Sequence, residues 1–171
     1  MGEISPRMLQ GLVDYVLVGH SERRAAGETE EQVAWKGRCP SPGTAMTPIL
    51  LVGEDDPGED AILRSEKRLR RGLSGVDVST QSVLVVYEPT WAIGTDETAS
   101  TSHVSRWVTH LKAVLAEMGA TEPRILYGGS VNDDNVDALA PLDVLDGVGA
   151  GRASLEAAQF LRLIDQIALA M

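Results

Sequence analysis

Short uninterrupted apolar runs alternate along the chain with longer stretches in which apolar residues recur at helical spacing. The runs predict strands near Asp14–Val18, Pro48–Val52, Val83–Tyr87, Arg124–Tyr127 and Gly147–Ala150. The spaced stretches predict helices near Pro6–Leu12, Thr29–Lys36, Asp60–Leu73, Thr101–Met118, Asp133–Ala138 and Leu155–Ala168. Repeated strand–helix units imply a parallel sheet. The strand residues are consecutive Val, Ile and Leu rather than alternating, as expected when helices cover one face of the sheet and interior side chains fill the other. One segment breaks the pattern. After Glu31-Gln-Val-Ala-Trp-Lys36 comes Gly37-Arg-Cys-Pro-Ser-Pro-Gly-Thr-Ala45, whose two prolines and two glycines end any helix. A slip of reading frame across residues 37–45 would account for such a stretch.

With 171 residues and 43% apolar content, the chain is expected to form one α/β domain spanning residues 1–171. A net charge of −10 argues against nucleic acid and against an anionic membrane surface as partners. The basic run Lys67-Arg-Leu-Arg-Arg71 falls on a helix and reads as a solvated face. A single Cys39 excludes an internal disulfide and suits a reducing compartment. No signal peptide or membrane-length apolar run is visible, so a cytoplasmic location is expected.

Three strand ends carry candidate chemistry. Val83-Leu-Val-Val-Tyr-Glu-Pro-Thr-Trp-Ala-Ile-Gly-Thr95 places Glu88 at the mouth of the sheet, before a loop. A glutamate there can cap a helix, join a loop ion pair or act as a base; the Pro89-to-Thr95 context favours the base. Tyr15-Val-Leu-Val-Gly-His-Ser-Glu-Arg-Arg24 puts His20 at another strand end, ahead of a helical turn whose N–H groups can face the ring. Ile125-Leu-Tyr-Gly-Gly-Ser-Val131 supplies a glycine turn where backbone N–H groups can converge on an anion. A base, an imidazole and an anion cradle suit proton transfer on a small phosphorylated carbonyl compound.

These three segments resemble the triosephosphate isomerase family, and the resemblance covers the whole chain. It implies an incomplete (β/α)₈ barrel of five parallel strands with flanking helices, the family's units four to eight. A full barrel takes about 250 residues, so the first three strands, and the family's Asn-x-Lys motif, are expected to lie outside this sequence. Whether Met1 is the true start is then a question for the upstream DNA. The only lysines are Lys36, Lys67 and Lys112, none of them expected at a strand's C-terminal end.

The resemblance implies further roles. Glu88 would be the base, His20 a neutral electrophile, Ser21 the residue that holds the base carboxylate, and Glu22 a support whose family partner is the lysine. Gly94, Ser130, Gly129 and Gly151 match phosphate-binding positions. Pro89, Thr90, Trp91, Ala92, Ile93, Gly94 and Thr95 match the family's lid, with Trp91 at its first hinge. The chain departs from the family pattern at Arg152, which follows Gly151 in place of a second glycine, and at Asp96 and Glu97 in the lid. Arg152 reads either as a surface side chain or as a phosphate contact. Trp35 and Trp107 are expected to fill core or interface. His103 and His110 lack sequence neighbours at metal spacing, so no metal is expected.

The implied reaction interconverts dihydroxyacetone phosphate and D-glyceraldehyde 3-phosphate through an enediol, as in glycolysis and gluconeogenesis, with no cofactor. A tetrulose-phosphate isomerase and a non-catalytic phosphate-binding remnant remain alternatives. The expected partners are a small phosphorylated sugar and, because terminal strands would be left unpaired, a second copy or a complementing chain covering the open sheet edges.

Overall fold

The computed structural model describes residues 4–38, 46–58, 60–80, 82–93 and 98–170. In chain order these form α1 (Pro6–Leu9), β1 (Tyr15–Val18), α2 (Ser21–Ala25), α3 (Glu30–Gly37), β2 (Thr47–Val52), α4 (Ala61–Gly72), β3 (Leu84–Tyr87), a 3₁₀ turn (Thr90–Ala92), α5 (Thr101–Glu117), β4 (Arg124–Tyr127), α6 (Val136–Leu139), a second 3₁₀ turn (Arg152–Ser154) and α7 (Ala157–Ala170). The strands make one parallel sheet in the order β1-β2-β3-β4. A doubly wound sheet reverses its strand order at a switch point. Here each strand pairs with the next in sequence, as in a (β/α)₈ barrel. The fold is a partial barrel of this kind.

Register explains the unbroken apolar runs. Val18, Leu50, Val85 and Ile125 lie side by side across the four strands, and Val52, Tyr87 and Tyr127 form the next row towards the C-terminal ends. Both rows are buried in the core with Val33 of α3, Leu69 of α4 and Val104, Val108, Leu111 and Leu115 of α5. The row before the first of these, Leu17, Ile49 and Leu84, faces the other way and is less covered. Alternation along each strand thus separates a helix-packed face from the barrel-interior face. On α4 the buried positions are Ala61, Ser65, Leu69 and Gly72, so the basic run turns outward, where Arg68 pairs with Asp55 and Arg70 with Glu66 and Glu117. α3 begins with a capping box in which Thr29 Oγ1 accepts from the Gln32 N–H and Gln32 Oε1 accepts from the Thr29 N–H.

Several boundaries differ from the sequence expectation for local reasons. The fifth run, residues 147–150, is reduced to one parallel bridge, Tyr127 to Val148. It still flanks β4, since Tyr127 N–H donates to Gly147 O (3.1 Å) and Gly149 N–H to Tyr127 O (2.7 Å). Gly147 at φ 151° takes a conformation outside the strand region. α6 starts at Val136 rather than Asp133 because the Asn132 side chain accepts from the N–H groups of Asp134 (2.9 Å) and Asn135 (3.2 Å), forming an Asx turn first. α1 ends at Leu9, short of Leu12. The irregular stretch 39–45 lies outside the described residues.

The outer side of β1 is open. Tyr15 and Leu17 are 57% and 61% exposed, and Leu17, Trp35 and Met46 line a groove beside them. Trp35 is therefore at this edge, whereas Trp107 is buried in the core. Apolar side chains of α7, including Leu161 and Ile164, are also exposed. Among the described residues no helix is long and apolar enough to cross a membrane.

Candidate active site

The sheet's C-terminal end is built around Glu88. Val52, Tyr87 and Tyr127 are register partners, so the following residues, Gly53, Glu88 and Gly128, continue the row. Glu88 N–H donates to Val52 O (2.7 Å) and Gly128 N–H to Tyr87 O (2.9 Å), extending the ladder past the strands. A glycine thus stands on each side of Glu88. A Cβ at position 53 would lie 1.9 Å from the Glu88 carbonyl oxygen, so only glycine allows the two strand ends to come this close.

Glu88 is buried, with 6% of its surface exposed. Burial raises its carboxyl pKa above the ordinary value, opposed by the adjacent His20, hydrogen bonds from Ser21 and the more distant Arg24. Two groups hold the carboxylate. The Ser21 backbone N–H donates to Oε2 (3.1 Å), and His20 Nε2 lies 3.2 Å from Oε1. His20 is at once the residue after β1 and Gly19 and the N-cap of α2, where its Nδ1 accepts from the Glu22 N–H (3.2 Å). A ring nitrogen that accepts carries no proton, so in this arrangement the imidazole is neutral with its proton on Nε2, directed at Glu88.

Sequence reasoning named His20, Ser21 and Glu88, and the structure brings them together. Glu22 joins through its backbone only; its side chain is exposed and therefore hydrated, not stranded inside the site. The three lysines all sit on helices: Lys36 on α3, Lys67 on α4 and Lys112 on α5, where Lys112 pairs with Asp146 at 2.8 Å.

The segment after Glu88 turns at once. Pro89 leads into the Thr90–Ala92 3₁₀ turn, which is anchored on the loop after β2. Thr90 donates to Glu54 O through its N–H (3.0 Å) and its Oγ1 (3.1 Å), and Trp91 Nε1 donates to Glu54 Oε1 (3.0 Å). Ile93 ends this turn. Gly94, Thr95, Asp96 and Glu97 lie outside the described residues. On either side of them the backbone is tied to the end of β4: Ser130 Oγ donates to Ala92 O (2.7 Å), and Ala99 N–H donates to the Tyr127 hydroxyl (3.2 Å).

The glycine turn after β4 has a specific geometry. A Cβ on Gly129 would meet the Tyr127 hydroxyl at 2.2 Å, and that ring is fully buried, so the glycine provides clearance. Ser130 has φ 49°, a left-handed conformation that costs a non-glycine residue roughly 1 kcal/mol or more. No helix end stands directly behind this turn among the described residues, because α6 is four residues long and begins at Val136. Gly151 precedes the second 3₁₀ turn and, like Arg152, is exposed.

Three further residues were not singled out from sequence as site components. Glu54 is fully buried behind Trp91, with Tyr87 and His103 on the same carboxylate oxygen. The pattern offered one signal: Glu54 follows a strand end just as Glu88 does. The histidines of α5 also acquire carboxylate neighbours from other elements, His103 at 3.1 Å from Glu54 and His110 at 2.9 Å from Glu66. Among the described residues no group of three or more His, Cys, Asp or Glu side chains could hold a metal ion.

Comparison with known proteins bears on this arrangement. The family model described as triosephosphate isomerase matches residues 1–167. A triosephosphate isomerase of Dehalococcoides mccartyi (strain ATCC BAA-2266 / KCTC 15142 / 195) is 39% identical over 175 residues, a match covering 98% of this chain and 68% of the relative. The triosephosphate isomerase of Roseiflexus castenholzii is 38% identical, covering 95% of this chain and 68% of the relative. That of Endomicrobium trichonymphae is 41% identical over the same shares. With a partial barrel, a glutamate–histidine pair at its strand ends and a match along nearly its whole length, this chain belongs to the triosephosphate isomerase family.

Proposed function

We propose that the chain performs the family's aldose–ketose isomerisation, interconverting dihydroxyacetone phosphate and D-glyceraldehyde 3-phosphate through an enediol, a step of glycolysis and gluconeogenesis. The observation that carries this is the buried Glu88 carboxylate, its pKa raised by burial, within 3.2 Å of His20 Nε2. Moving a proton between adjacent carbons needs one base that reaches both, and a raised carboxyl pKa brings acid and base forms closer to neutral pH. Glu88 would remove the proton from one carbon and return it to the next. His20, neutral and protonated on Nε2, would donate to the substrate oxygens in turn. Triosephosphate isomerase is itself the standard worked example of this division of labour, a carboxylate base beside a neutral imidazole electrophile. Ser21 would hold Glu88 aside before substrate binds, with the backbone of Gly94, Gly129, Ser130 and Gly151 receiving the phosphate. A cytoplasmic location and self-association over the open edges belong to the same reading.

All three lysines are on helices and none ends a strand beside Glu88. Removing one donor to developing charge typically costs about 10² to 10³ in rate. The 171-residue chain is therefore expected to turn over glyceraldehyde 3-phosphate at a Glu88-dependent rate, two to three orders of magnitude below that of a complete relative. The assay uses protein purified from a host lacking its own isomerase, with Glu88→Gln as control. A rate equal to the complete enzyme, or one unaffected by Glu88→Gln, refutes the reading. A chain that binds phosphate without turnover would instead be the non-catalytic alternative, which the lysine positions favour. Arg152 beside Gly151 favours testing a tetrulose phosphate in parallel.

A further inference from the structure

Glu54 is a fully buried carboxylate with four neighbours. Its Oε2 accepts from Ser65 Oγ (3.1 Å). Its Oε1 accepts from the Tyr87 hydroxyl (2.8 Å) and Trp91 Nε1 (3.0 Å) and faces His103 Nε2 (3.1 Å). Three donors therefore crowd one oxygen that offers about two lone-pair directions. Of the four neighbours only His103 has a second nitrogen that can take a proton and make the side chain a cation.

Proton counting fixes the imidazole. Burial and the Glu54 charge push the Tyr87 phenol far upward, so it keeps its single proton, which goes to Glu54. Tyr87 oxygen can then only accept, so the single hydrogen on His103 Nε2 lies between it, 2.9 Å away, and Glu54 Oε1 at 3.1 Å. Nε2 must carry hydrogen whether the ring is neutral or charged, leaving Nδ1 as the nitrogen open to a second proton. The ring is held in place by stacking on Trp107 (centroids 3.9 Å apart, planes at 18°), and it meets the Trp91 ring edge-on at 5.4 Å.

We propose that His103 is a positioning residue for the segment following Glu88: it competes with Trp91 for one oxygen of Glu54, and gaining a proton at Nδ1 loosens the Trp91 turn. A charge-assisted hydrogen bond is roughly twice as strong as a neutral one, so the imidazolium draws Oε1 towards itself at the indole's expense. The other charged and titratable groups around the cluster do not replace it. Asp55, on the Glu54 loop, is paired with Arg68, which lowers its carboxyl pKa, so it stays ionised through the neutral range. Arg106, on His103's own helix, lies over the Trp107 ring at 5.4 Å. Tyr127, whose ring centroid is 6.0 Å from that of Tyr87, has its phenol pushed up to about 12 and stays protonated. The consequence for catalysis rests on the isomerase reading; the titration does not, so failure of turnover and failure of this inference are separate results.

The test is a ¹⁵N–¹H NMR titration of the full chain from pH 5 to 8.5, following the Trp91 indole N–H, assigned through Trp91→Phe, beside the His103 ring proton. The Trp91 signal is expected to move upfield on acidification, with the same inflection as His103, and its exchange with solvent to quicken several-fold. In His103→Gln, which keeps a neutral donor on the same side of the helix, the Trp91 inflection should vanish while the spectrum stays folded. In Glu88→Gln it should persist, which separates His103 from the nearby base. A Trp91 signal that stays flat while His103 titrates, a His103 ring that does not titrate in this range, or an inflection retained in His103→Gln would overturn the proposal.

Discussion

Gly53 offers the sharpest test of how the sheet end is assembled. In Gly53→Ala the new Cβ would lie 1.9 Å from Glu88 O, 2.5 Å from Glu88 C and 3.0 Å from Pro89 N. Real Cβ contacts essentially never fall below 3.0 Å, so one strand end must retreat by at least the 1.1 Å difference. All three atoms are backbone, and no rotamer change can relieve them. Overpacking of this kind costs about 1 to 3 kcal/mol, and stretching the buried Glu88 N–H bond to Val52 O adds about 1 kcal/mol. The expected loss is thus about 2 to 4 kcal/mol, a large part of the 5 to 15 kcal/mol typical of a domain. With a urea m-value of about 2 kcal/mol/M the midpoint would fall by roughly 1 to 2 M at unchanged m, read by far-UV circular dichroism. Gly149→Ala is the control, because its Cβ would meet only ordinary contacts at 3.8 and 4.0 Å, and its change should stay within about 1 kcal/mol. Alanine also restricts the unfolded chain, which alone would stabilise by about 0.4 to 1 kcal/mol. A neutral or stabilising Gly53→Ala would therefore refute the claim that glycine is needed for the approach.

Three other outcomes are expected. Glu88 has a folded-state pKa above its unfolded value, so the unfolded chain gives up its proton first as pH rises; the contribution of this group to stability is full in acid and is lost as pH rises through the folded pKa. Glu88→Gln should then raise the melting temperature at pH 7 and change it little at pH 4, and a lower melting temperature at pH 7 would contradict the burial argument. Phosphoglycolate titrated by calorimetry should bind at millimolar concentration and bind more weakly in Gly129→Val, whose side chain would strike the buried Tyr127 ring; equal affinity in both proteins would remove this turn from the anion site. Light scattering of the 171-residue chain at several concentrations should show concentration-dependent association, since Tyr15, Leu17, Trp35 and Leu161 are all more than half exposed, whereas a monomer at every concentration would mean that these side chains do not drive contact.

What the sequence revealed and what it hid divide along physical lines. Strands β1 to β4 were legible because each centres on consecutive apolar residues, even in β1 where one side is open, and His20 and Glu88 because they end such runs in extended family motifs. The segment at residues 147–150 reads as a strand from Val148 and Ala150, yet the glycines beside Val148 leave it a single bridge. The start of α6 was hidden because Asn132 organises its turn through side-chain bonds that compete with the helix. The Glu54 cluster was hidden for a different reason. His103 and Glu54 are 49 residues apart and meet only once β2, β3 and α5 are assembled, and no local spacing encodes that meeting.

The strand order has a consequence for how the chain opens. Its ladders join residues 32 apart between β1 and β2 (Tyr15 and Thr47), 35 apart between β2 and β3 (Ile49 and Leu84) and 40 apart between β3 and β4 (Leu84 and Arg124). Each unit leans on its sequence neighbours, so the sheet behaves as a short one-dimensional array in which opening propagates inward from a weakly held end. In this structure β1 is such an end, paired on one side only, while β3 is flanked by β2 and β4. His20 therefore rides on a unit that can detach, and Glu88 on the one that holds longest. Amide exchange should find two levels of protection within the His20–Glu88 pair, and the candidate site can come apart by losing its imidazole while the carboxylate and most of the fold remain in place.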